Sequence, residues 1–206
     1  MKILEKAIEK QTTRRGRAAQ ALHQGEYLVR LTALGQYFHV ADEKGNNTTA
    51  IGMGFFPTAD PCIVAAFKGP PQPTKEAIFL RAREVGIEEI VLSSQIEILG
   101  NTSGLHSEMA IVQAVYGSKN QLRNPEMGLE IACIGKGVCP DCSGYMAKYG
   151  IPHTATRSNA ASDWVHPFTG AHFHGTDKNF TYGKAGRSFA HAGDWGGEYK
   201  KGWGAG

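Results

Sequence analysis

At 206 residues the chain is long enough for one well-buried domain and short for two, and its 41% hydrophobic and 20% charged residues exclude a disordered chain. A net charge of +3 permits an anionic partner without demanding one. Four cysteines, two of them in one C-x-x-C pair, argue for a metalloprotein of a reducing compartment rather than a disulfide framework, and no apolar run is long enough to span a bilayer.

In chain order, residues 1–24 are the most basic stretch, with Lys2, Lys6, Lys10, Arg14, Arg15 and Arg17 spaced among scattered apolar positions. They read as a solvated helix or a linker, with phosphate contact as the alternative. Residues 25–155 form the expected core. Its first part is read as an antiparallel set of strands over residues 27–31, 37–40 and 62–67, separated by turn signals at residues 44–47 and 57–61. After the Pro-rich break at residues 70–73, Thr74 is the expected N-cap of a helix burying Ile78, Leu80, Ala82 and Val85 and stopped by Gly86. A strand is expected over residues 89–94.

A helix then opens near His106, with Met109, Val112 and Tyr116 in one apolar row, Ile111 and Val115 beside it, and Gly117 closing it. Residues 128–134 read as a buried strand. A second helix starts at Cys139 and ends at Gly150, and residues 151–153 begin another strand. Cys62 and Cys133 lie in apolar runs and are expected as buried free thiols. Residues 156–206 are an extension of the same domain, rich in Gly and aromatics from Trp164 onward. Its Lys184, Arg187, Lys200 and Lys201 alternate with rings; a Gly-rich cover over the sheet is the reading for most of these residues, and contact with single-stranded nucleic acid, which such a pattern suits, is the alternative.

The chemistry concentrates in His106-Ser107-Glu108 and Cys139-Pro140-Asp141-Cys142. One imidazole and two thiolates are three soft ligands, and a zinc with three protein ligands keeps an open position for water. Glu108 is the natural proton carrier for that water. On a regular helix His106 and Glu108 would point about 160° apart. They converge only if the metal sits off the helix start, where the dipole also favours a carboxylate. The second helix start is expected to lower the pKa of both cysteines. Two other readings use the same residues. A thiol–disulfide oxidoreductase explains the C-x-x-C but gives His106 and Glu108 no role; a structural zinc site needs a fourth ligand, from His153 or Cys133. His172 and His174 are not expected to form a second metal site.

Together, His106-x-Glu108 and Cys139-x-x-Cys142 resemble the H-x-E…P-C-x-x-C signature of the cytidine deaminase superfamily. The resemblance covers roughly residues 100 to 155. Val138 stands where that family has Pro, and Pro140 falls inside the pair, but every ligand position is kept. The resemblance implies a three-layer α/β/α sandwich with a mixed sheet, and Zn²⁺ held by His106, Cys139 and Cys142. It also implies hydrolytic deamination with Glu108 as the proton carrier. The surrounding segments are similar to bacterial deaminase toxin domains, which act on bases in nucleic acid. Cytosine in single-stranded DNA is therefore favoured over RNA, with a free nucleoside or nucleotide as the alternative substrate. Asn101, in the loop before His106, and Trp164 are the candidate substrate contacts. A toxin would be soluble, would act in the cytoplasm of a target cell after secretion, and would need an immunity protein as partner.

Overall fold

The computed structural model describes residues 25–43, 47–68, 72–100, 104–156 and 163–174. The basic stretch 1–24, Asn101 and the extension beyond residue 174 lie outside these. Four strands, β1 (Thr48–Phe55), β2 (Cys62–Phe67), β3 (Ile96–Leu99) and β4 (Gly128–Gly135), form one sheet in the order β3-β2-β1-β4. β1 is antiparallel to both of its neighbours, and β3 is parallel to β2. Past β4, His153 adds a parallel bridge to Ile131. Helices α1 (Glu26–Phe38) and α2 (Lys75–Glu84) cover one face, and α3 (Ser107–Tyr116) and α4 (Pro140–Lys148) cover the other. This is the expected three-layer α/β/α sandwich with a mixed sheet. A hairpin, β5 (Asp163–Val165) with β6 (His172–His174), follows. No helix among the described residues is long and apolar enough to cross a membrane.

Strand alternation sorts the core into its two halves. Ile51, Met53 and Phe55 of β1 meet Leu31, Leu34 and Ile78 under α1 and α2. The opposite face of β1 carries Thr48, Ala50, Gly52 and Gly54, and α3 packs against it. A Cβ at Gly52 would lie 2.7 Å from Ile111 Cγ2, and one at Gly54 would lie 3.2 Å from both Val115 methyl carbons. α3 thus lies closer to the sheet than a side chain at Gly52 would allow, and close enough to crowd one at Gly54. All five apolar α3 residues named from the sequence are buried.

Several expected elements are corrected. Residues 27–31 and 37–40 are not strands: α1 runs through the first and ends at Phe38 within the second, because Tyr27, Leu31 and Leu34 bury at helical spacing. Local β-formers such as Val29, 78% exposed, gave the wrong period. The strand expected at 89–94 is a turn and a 3-10 turn, in which Gln95 Oε1 accepts the N–H groups of Val91 and Leu92; the strand begins at Ile96. In α2, Thr74 caps as expected by accepting from Ala77 N at 3.2 Å, and Gly86 turns the chain at φ 84°. Leu80, however, points outward. The stretch expected to start a strand at 151–153 makes only bridge contacts to β4.

Glu130, fully buried in β4, ties the sheet to α1. The residue capping α1 is Gly25, which offers no side-chain acceptor; Glu130 Oε2 accepts the Tyr27 N–H instead, at 3.0 Å. Burial outweighs these N–H bonds and pushes the carboxyl up to about 7 from 4.5. Between those values the unfolded chain sheds a proton that the folded chain keeps, so stability falls as pH rises through this window and stays reduced above it. In thermal unfolding at pH 5 and pH 8, Glu130→Gln is expected to remove about 2 kcal/mol of that pH dependence. An unchanged difference between the two pH values would refute the assignment.

Candidate metal centre

Two helix starts meet at this site. His106 is the N-cap of α3 and has extended backbone (ψ 147°), so its ring is released from the helical direction while Glu108 sits in the first turn. This is how two residues that would diverge on a regular helix come to share one site. Cys139 caps α4 in the same way (ψ 155°), followed by Pro140, whose missing N–H costs nothing in the first turn. The Cys139 sulfur takes the capping role itself, accepting the Cys142 N–H at 3.3 Å.

His106 Nδ1 lies 3.3 Å from Cys142 Sγ and 3.4 Å from Cys139 Sγ. The three donor atoms all fall within 4.8 Å of one another, a cluster that can bind a metal ion. His106 also bonds to the backbone of Asp163. With Nδ1 turned to the sulfurs, that bond falls to the other ring nitrogen, the arrangement that fixes the tautomer of a metal-ligating histidine. Both cysteines are buried, at 2% and 0% exposure.

The charges are strongly interdependent. A hydrogen bond from Cys142, together with His106, holds the Cys139 thiol well below its usual pKa. Cys142 moves the other way, through burial and the neighbouring Cys139 sulfur. The sequence expectation that both thiols are lowered therefore applies to Cys139 alone. Burial would depress His106, but Cys139, with Glu108 and Asp163 assisting, brings the net shift upward. Glu108, 4% exposed, is raised by burial and then by Cys139.

Glu108 has a partner the sequence reading missed. Cys133, expected only as a buried thiol, donates Sγ–H to Glu108 Oε1 at 3.5 Å. Its own backbone is pinned by Thr154, whose Oγ1 accepts the Cys133 N–H at 2.9 Å. The signal was available in strand alternation, since Cys133 shares the α3 face of β4 with Leu129 and Ile131.

The remaining candidates fall as follows. Trp164 is 2% exposed, packs on Tyr145, and lies near Cys142, where its indole works against the upward shift of that thiol. Asn101 is outside the described residues. His153 pairs with Ser143 Oγ and the Ile151 carbonyl, and Cys133 faces Glu108, so among the described residues neither joins the three-ligand cluster. Cys62 is half-buried.

No protein-family model, no curated protein and no solved structure matches this chain.

Proposed function

We propose that this protein is a zinc-dependent hydrolytic deaminase acting on cytosine in nucleic acid, single-stranded DNA above all, and that it serves as a bacterial toxin domain. One observation carries the reading: His106, Cys139 and Cys142 converge at two helix starts with the buried carboxyl group of Glu108 beside them.

The donor set fits zinc. Zinc–sulfur bonds of about 2.3 Å and zinc–nitrogen bonds of about 2.0 Å at tetrahedral angles separate nitrogen from sulfur by about 3.5 Å. The separations here are 3.3 and 3.4 Å. Two thiolates and an imidazole also select a soft cation over magnesium or calcium. The chemistry such an ion supplies is Lewis acidity, which brings the ionisation of water into the neutral range.

The residues of the chain account for the proton traffic. Glu108 takes the proton from the attacking water on a carboxylate oxygen, gives it to N3 of the base, and then assists departure of the amino group as ammonia. Cytosine and water thus become uracil and ammonia. Burial favours the neutral, proton-carrying form of Glu108, as its second role requires. Cys133 holds Oε1 from below, leaving the other oxygen for the reaction.

The rival readings leave more unexplained. Disulfide exchange gives His106 and Glu108 no task and calls for an accessible sulfur, whereas both cysteines are buried. A structural zinc site calls for a fourth ligand, and among the described residues the cluster has three.

Cys133→Ala should keep the metal and slow deamination roughly fivefold, the worth of a weak hydrogen bond to an acidic group. Rates equal to wild type at matched metal content would remove Cys133 from the mechanism. The reading as a whole is tested with zinc-loaded protein and a single-stranded oligonucleotide carrying one cytosine. Uracil formation supports it. Zinc-loaded protein that converts neither DNA, RNA nor free cytidine overturns it.

A further inference from the structure

The end of the molecule opposite the metal cluster holds a cavity of about 510 Å³, lined in part by Tyr116, Arg123, Met127, Lys148 and Tyr149. Tyr116 is the last residue of α3 and Lys148 the last of α4, whereas His106 and Cys139 cap the starts of the same helices. The nine residues of α4 therefore separate the two sites by about 13 Å. We infer that this cavity is a second nucleic-acid contact, in which Arg123 and Lys148 hold a phosphate of the strand whose cytosine enters the metal centre. This rests on the proposed function for the identity of the strand.

The chemistry of the lining points to such a ligand. Arg123 and Lys148 outnumber the one lining carboxylate, Glu126, which is exposed. They come from separate segments, the 3-10 turn at Gln121–Arg123 and the end of α4. Burial, with the like charges of Lys119 and Arg123, pulls the half-buried Lys148 ammonium down to about 8. A helix C-terminus accounts for a basic residue at the end of α4. It does not account for a cluster whose members repel one another, and an anion between them relieves that repulsion. Leu122 and Met127 give the cavity an apolar wall beside the cations, the pairing that accepts a sugar and base next to a phosphate. The volume is that of an ordinary small-ligand pocket.

The test is fluorescence anisotropy with a labelled single-stranded oligodeoxynucleotide, across a salt series, for wild type and Arg123→Ala/Lys148→Gln. Circular dichroism and zinc content serve as fold controls, and the single variant Arg123→Ala, on the surface, covers the case in which the double variant misfolds. The double variant is expected to bind on the order of tenfold more weakly, with a salt slope shallower by about 0.7, the worth of one single-strand phosphate contact. Competition by inorganic phosphate or by dCMP as effective as that by the oligonucleotide would overturn the strand assignment. Equal affinity and slope in wild type and variants would overturn the site. Failure here differs from failure of the deaminase reading. A wild type that binds through these residues but deaminates nothing sinks the proposed function alone, and one that deaminates while the variants bind unchanged sinks only this inference.

Discussion

Glu108→Gln is expected to retain about one zinc per chain and to lose cytosine deamination by about two to four orders of magnitude, the usual worth of a general acid–base group. The substitution preserves the shape of a side chain that is 4% exposed in a close-packed core, so the fold has little reason to respond. It also keeps an oxygen for the Cys133 thiol. What it removes is the ability to accept and return a proton. Because the site is buried, bulk water cannot take over that transfer freely. Metal analysis with an oligonucleotide assay separates the two roles. A Gln variant with a tenth or more of wild-type activity would transfer the proton work to another group.

Stripping the metal with a chelator is expected to lower the unfolding temperature by about 10 °C. An ion at a thousandfold its dissociation constant contributes roughly 4 kcal/mol, and a domain of this size loses about 2–4 °C per kcal/mol. The physical source lies in the cluster itself. Without a cation, two sulfurs, an imidazole and a buried carboxyl crowd one another, as the raised Cys142 and Glu108 pKa values show. An ion replaces that conflict with bonds between α3 and α4. His106→Ala should reach the same low melting temperature and be insensitive to further chelator. Equal melting temperatures with and without demonstrated metal removal would rule out a structural contribution from the site.

The His/Cys/Cys cluster was legible in sequence because its residues are few, chemically distinctive and placed at helix starts. Local signals marked both helices well: the apolar row of α3, Gly117 at φ 63°, and Pro140 after Cys139. The central strand was not legible. β1 carries Gly52 and Gly54, which weaken a strand pattern, and their reason for being there is the approach of α3, a tertiary fact absent from local sequence. α1 was misread because Tyr27-Leu28-Val29 favours a strand residue by residue, while the burial of Tyr27, Leu31 and Leu34 is helical. Contacts such as Cys133 with Glu108 or Glu130 with Tyr27 join positions 25 and 103 residues apart, and no motif encodes them.

The two rims of the sheet face very different fates in concentrated solution. Beyond β4, the rim is occupied by the following segment: Ile131 donates to the Pro152 carbonyl and accepts from Thr154. At the other rim, among the described residues, no strand pairs with the outer side of β3. A bare rim of this kind is a template on which copies of a chain stack into aggregates. β3 limits that hazard by being four residues long and by carrying the exposed Glu97 in its middle, so that a stacked copy would set carboxylate against carboxylate. Neutralising that one charge would be a direct route to a sticky protein with its chemistry intact.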